Sequence, residues 1–169
     1  SGSNNYVKGS SAFLNQFNNS NPHASVFYTS STSVYGNESR EINEESDVRP
    51  ETKSARKIVE VERYIQSHFK NRYIIIRLGG LVGGKRHPVK YLQGKVGVAK
   101  PFAPVNLVHR EDVIRAIILQ ISSFTAGIFN LCSGDHPSKK EFYTKLVEQF
   151  GLKKVEFNER DKLQDKVVT

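Results

Sequence analysis

Apolar residues recur at helical spacing in several stretches of the chain, and short β-favouring runs separate them. Tyr6, Phe13, Leu14 and Phe17 predict a helix over 5–18, closed by the polar cluster Asn18-Asn19-Ser20-Asn21-Pro22. Ser25-Val26-Phe27-Tyr28-Thr29 then reads as a short strand stopping at Ser30-Ser31-Thr32-Ser33. Residues 36–53 are acidic and poor in apolar positions, begin at Gly36, include Pro50, and read as a loop. Ile58, Val61, Ile65 and Phe69 fall on one stripe of a helix over about 54–69. Tyr73-Ile74-Ile75-Ile76 shows no polar alternation, the pattern of a strand buried on both faces of a parallel sheet, and leads to Gly79-Gly80-Leu81-Val82-Gly83-Gly84.

Further along, Val105-Asn106-Leu107-Val108-His109 predicts a strand entering a helix over about 111–122. The expected core face of that helix is Val113, Ile114, Ile117, Ile118 and Ile121. Gly127-Ile128-Phe129-Asn130-Leu131 predicts another strand. Ser138 and Glu141 have capping-box spacing at the start of a last helix, which closes at Gly151. Alternating helices and strands give an α/β class.

Composition narrows the picture by exclusion. With 169 residues, 37% hydrophobic and 25% charged, the chain is long enough for one packed domain and too mixed for collagen, coiled coil or wholesale disorder. No apolar run approaches the roughly 20 residues of a membrane-spanning helix, and no membrane partner is expected. The single cysteine, Cys132, cannot form an internal disulfide, and the first residues lack signal-peptide regions, so a cytoplasmic setting is expected. The absence of Met leaves open a tag remnant at Ser1-Gly2-Ser3 or a start inside a longer sequence.

Charge adds a sharper signal. From Arg63 to Arg110 there are ten Lys and Arg residues and no Asp or Glu, within a chain of net charge +8. One-signed focusing of this kind raises the local concentration of anions. The alternatives are a solvated basic surface and a site for a small anionic substrate. The five histidines and Cys132 show no metal-ligand spacing, so no metal site is expected. Nucleic-acid binding is not expected, because the aromatics of Lys139-Lys140-Glu141-Phe142-Tyr143 fall on the apolar face of a capped helix.

Phe27-Tyr28-Thr29-Ser30-Ser31-Thr32-Ser33-Val34-Tyr35-Gly36 resembles the strand-to-loop signature of extended short-chain dehydrogenases/reductases, the NAD-dependent epimerase/dehydratase family. Arg56–Glu62, Arg77–Gly83 and Asn106–Asp112 resemble three later landmarks in the family's order. The similarity spans about residues 5–150 and is strongest to the family's atypical branch. It implies a partial Rossmann-like parallel sheet with flanking helices, residues 1–84 forming the C-terminal part of a nucleotide-binding domain. Residues 85–169 would form a small substrate-side α/β region continuous with it. No counterpart of the family's glycine-rich phosphate turn occurs, which implies a portion of a longer protein. NAD or NADP would belong to the full-length protein, and none is expected to bind this portion.

The resemblance also carries roles onto particular residues. It implies Ser31 as a hydrogen-bonding catalytic group and Ser30, Gly79, Gly80, Leu81 and Val82 as cofactor contacts; Tyr35 is more often a packing residue in this motif and, as the one phenol nearby, is also the candidate substitute acid. Arg77, Arg86, Asn106 and His109 would face the substrate. Read from the residues alone, the serines can simply end a strand, the glycines can form a turn, and His109 can be a hydrogen-bonded structural group. The family's acid/base Tyr and its partner Lys map to Ser54 and Ile58. A serine hydroxyl titrates too high for a tyrosinate's work, and Ile58 offers no charge. The expectation is an epimerase/dehydratase- or reductase-like protein of unknown substrate. A non-catalytic dinucleotide-sensing or interaction module is the alternative. A parallel sheet without its first strands would leave a bare edge, so self-association is expected.

Overall fold

The computed structural model describes residues 3–84 and 87–169. A parallel three-stranded sheet forms its centre, built from β1 (Val26–Ser31), β3 (Tyr73–Leu78) and β6 (Gly127–Leu131) in the order β1-β3-β6. Ile75 lies opposite Tyr28 on one side and Ile128 on the other. In β3 both faces are covered, with Ile74 and Ile75 at 0% and Ile76 at 3% exposure, as the unbroken apolar run predicts.

Helices α1 (Ser3–Ser20) and α2 (Lys53–Phe69) cover one face of the sheet. Leu14, Val61, Ile65, Phe69 and Ile75 form the core there, with Phe17, Tyr28 and Ile128 packed around them. Thr52 sets the start of α2: its Oγ1 accepts the Ala55 amide at 3.0 Å, satisfying a donor with no partner inside the helix.

The opposite face meets α4 (Arg110–Ser122), whose Ala116 and Leu119 stand across a small cavity from Ile76 and Phe129. Here the expected core face is corrected. Val113 is buried, but Ile114, Ile118 and Ile121 are 43%, 58% and 66% exposed, because among the described residues no second layer covers α4 and part of its apolar stripe faces solvent.

The rest is smaller. A 3-10 turn, Thr32–Tyr35, follows β1. Within the expected loop lies β2 (Glu41–Ile42), paired in parallel with β7 (Val167–Val168). The pair β4 (Gly80–Val82) and β5 (Leu107–His109) runs beside the main sheet. Helix α3 (Val89–Leu92) precedes an irregular stretch, and α5 (Lys139–Gln149) has the predicted capping box of Ser138 and Glu141. β6, from the second half of the chain, completes the main sheet. Among the described residues no helix is long and apolar enough to cross a membrane.

Candidate functional site

Ligands of open α/β sheets bind outside the carboxyl ends of the strands. Here those ends are Ser31, Leu78 and Leu131, and a line of polar side chains runs beneath them. Ser30 Oγ donates to Glu62 Oε1 at 2.5 Å. Arg77 donates through Nε to Glu62 Oε1 at 3.1 Å, through Nη2 to Glu62 Oε2 at 2.7 Å, and through Nη1 to Tyr35 Oη at 2.8 Å. Tyr35 Oη donates to Asn130 Oδ1 at 2.9 Å. The Arg77 guanidinium carbon also lies 4.8 Å from the Tyr35 ring centroid, within cation–π range.

Chain geometry explains the assembly. Ser30, Arg77 and Asn130 occupy matched positions on the three strands, with Arg77 opposite both of the others. Their side chains point to the face covered by α2, where Glu62 sits one residue after Val61 and three before Ile65. Burial works to lower the pKa of Arg77, but the hydrogen bonds and charge of Glu62 outweigh it and hold the guanidinium above its ordinary range. The pair is a fixed structural unit, joined by two hydrogen bonds.

This arrangement revises several roles. Arg77 is 4% exposed and spends its donors on Glu62 and Tyr35, so it presents no cation to a substrate. Tyr35 is fully buried with its hydroxyl bonded on both sides, which removes it as an acid. The Ser30 hydroxyl is likewise committed to Glu62. Ser31 Oγ accepts the Ser33 amide at 3.2 Å and caps the 3-10 turn, while remaining partly exposed at the strand end. Ser54 is exposed on α2, and Ile58 packs against the cluster of Val34, Tyr35, Ile42 and Val59.

Asn106 is also turned to an internal task. Its Nδ2 donates to Lys166 O at 2.8 Å and its Oδ1 accepts the Val168 amide at 3.0 Å. Asn130 Nδ2 reaches Thr169 O at 3.1 Å, and the Lys166 ammonium donates to Gly36 O. Residues 166–169 are thereby stitched beside the strand ends. Burial holds the Lys166 ammonium below its ordinary pKa, against the pull of Asp165 and Glu51.

The glycine segment divides. Gly79 is buried, and a Cβ there would stand 3.0 Å from Asn106 O and 3.1 Å from Cys132 Sγ, so a side chain would press on both neighbours. Gly80 is exposed and Leu81 and Val82 half-buried in β4, and a Cβ at Gly80 would stand 2.9 Å from Leu107 Cδ2. Arg86 lies outside the described residues.

Val82 and His109, opposite one another across β4 and β5, line a cavity of about 440 Å³ that also meets His87, Asp112, Ser133 and Asp135 over an apolar floor of Val105, Leu107 and Phe142. His109 caps α4, its Nδ1 accepting the Glu111 amide at 3.3 Å. His87 Nδ1 is buried there with no hydrogen-bond partner among the described residues. The carboxylates lining the cavity among the described residues are those of Asp112 and Asp135. No described cluster of His, Cys, Asp or Glu could hold a metal ion.

The sheet, its helices and the smaller pairs match known structures along most of the chain. A UDP-glucuronic acid 4-epimerase from Bacillus cereus, solved in complex with NAD, superposes with a TM-score of 0.73 at 16% identity, over 91% of this chain and 56% of the epimerase. The fold is that of the matched part of this epimerase. A conserved protein of unknown function from Silicibacter pomeroyi DSS gives a TM-score of 0.78 at 22% identity, over 94% of this chain and 62% of its own. In sequence, Protein YeeZ of Escherichia coli K12 is 37% identical over 145 residues, 85% of this chain. The chain spans about half the length of that relative, 53%. No protein-family model matches.

The turn after β1 is serine-rich and 3-10 helical. Sequence reasoning missed Glu62, Asn130 and Lys166 as organising residues. A lone Glu within the buried stripe of a helix, and a lone Arg within an isoleucine-rich strand, was the available signal for the first.

Proposed function

We propose that the chain is part of an NAD(P)-binding epimerase/dehydratase- or reductase-like protein, and that within a protein of its relatives' length it forms the nicotinamide and substrate side. The observation that carries this reading is the parallel β1-β3-β6 sheet, with Ser31 and Gly80–Val82 at its carboxyl ends, in the fold of an epimerase solved with NAD. Gly80, Leu81 and Val82 would border the nicotinamide through backbone, and Ser31 would meet the substrate. The cofactor would supply hydride transfer; this chain's residues would bind and orient. The expectation of an anionic substrate rests on the basic span Arg63–Arg110, of which Arg77 is enclosed by Glu62.

A second reading, a dinucleotide-sensing or interaction module without turnover, is favoured by Ile58. In place of a catalytic lysine it is part of the packing around Val34 and Tyr35. Product analysis after incubation with NAD(P)(H) and sugar-nucleotide or small carbonyl substrates, read together with NADH absorbance, separates the two, since an epimerase or dehydratase returns its hydride and leaves no net NADH change. Any turnover supports the enzyme, and binding of NADH without turnover supports the sensor. A cytoplasmic setting is in keeping with the free thiol of Cys132.

For the chain by itself we propose self-association. β1 pairs only with β3 among the described residues, leaving its other edge open. Phe27, Phe124 and the α4 residues Ile118 and Leu119 expose apolar surface on the same side of the sheet. Sedimentation of the purified chain tests this, with a monodisperse monomer as the contrary result.

A further inference from the structure

We infer that the corner formed by residues 87–98 and 149–156 docks the protein on an anionic phospholipid surface. The two segments are far apart in sequence but laced by backbone. The Gly94 amide donates to both Lys153 O and Lys154 O at 3.1 Å, the Glu156 amide to Lys95 O at 2.9 Å, and the Val98 amide to Glu156 O at 2.9 Å. Lys90, Lys95, Lys153 and Lys154 are thereby gathered on one surface, and all four are exposed. None forms an ion pair among the described residues. The nearest carboxylates along these segments are those of Glu148 and Glu156, so the corner keeps a positive balance.

Among these lysines stand side chains that water does not favour. Tyr91 is 71% exposed, Val96 74% and Phe150 51%. Apolar tips ringed by ammonium groups on flexible stems match a bilayer interface. The tips enter the headgroup region while the lysines reach anionic phosphates. Tyrosine in particular favours that depth.

A nucleic acid fits less well. Single strands are held by aromatic faces in series and by arginine forks. The described cations here are lysines, and Phe150 is packed edge-on against His87, with centroids 5.1 Å apart and planes at 69°. The expectation of no membrane partner considered only spanning segments, and peripheral docking requires none.

The chain contains no Trp, so Tyr91→Trp places a single reporter at the centre of the corner, at a position exposed enough to leave packing undisturbed. The variant is titrated with vesicles of phosphatidylcholine alone, with vesicles containing phosphatidylglycerol, and with a single-stranded oligonucleotide. The expected result is a blue shift of emission with the anionic vesicles only, weakened by salt. Lys153→Gln with Lys154→Gln should lower the partition coefficient by about fivefold per lysine. Tyr91→Ser should reduce co-sedimentation with anionic vesicles while the far-UV spectrum stays unchanged. No blue shift at low salt, a partition indifferent to the lysines, or tighter binding of the oligonucleotide than of the vesicles would overturn the inference.

Discussion

Arg77 Nη2 lies 2.7 Å from Glu62 Oε2 in the middle of the protein, with the two side chains 4% and 2% exposed. The pair joins α2 to β3 and, through Ser30, Tyr35 and Asn130, ties together all three strands of the main sheet. Removing one partner leaves the other charge buried and uncompensated. Glu62→Gln is therefore expected to destabilise the chain by about 3–5 kcal/mol, while a double replacement by apolar residues of similar volume should cost far less. Denaturant unfolding of the single and double variants measures the difference.

Asn106 closes both sides of the segment at Lys166–Val168. Asn106→Ala should destabilise by about 1–3 kcal/mol, since a carbonyl and an amide lose their partner. Hydrogen exchange should accelerate first at Val168 and Thr169, whose amides bond to Asn106 and Ile42, and leave the amides of β3 protected.

The pH dependence has a definite sign. Lys166 has its ammonium lowered by burial, so the unfolded chain binds that proton more tightly than the folded one. Its contribution disfavours folding below the folded pKa and is relieved as pH rises toward the ordinary lysine value of about 10.4. Stability of wild type relative to Lys166→Met should rise with pH through that window. Thermal unfolding of the two proteins at a series of pH values reads the difference directly. Comparing the pair cancels the opposite trend from Tyr28, whose pKa is raised, chiefly by burial.

Association should follow the exposed apolar face. Leu119→Lys, at a position 64% exposed, should leave unfolding unchanged within about 0.5 kcal/mol and shift sedimentation toward monomer. An unchanged distribution would place the contact elsewhere, with the open edge of β1 as the next target.

Much of the fold was legible in hydrophobic period alone. The helices over residues 3–20 and 53–69 and the all-apolar β3 have strong local patterns, and the Ser138–Glu141 box carries its own geometry. What escaped depended on contacts distant in sequence. β2 and β7 are two residues each and exist only because Ile42 meets Val168 across the chain. The stripe of α4 was legible as a stripe, but periodicity does not say what it faces. The site was harder to read for the same reason. Arg77 in an isoleucine run looks like a ligand-binding cation until Glu62, fifteen residues earlier on another element, is found to satisfy it.

The central claim is that this chain holds the nicotinamide side of an NAD(P)-binding fold without the pyrophosphate cradle. Titration of NADH into the 169-residue chain and into a protein of the relatives' full length tests it most directly. The account predicts saturable binding by the longer protein and none by the chain alone. Saturable binding by the chain alone, or its absence in the longer protein, would contradict it.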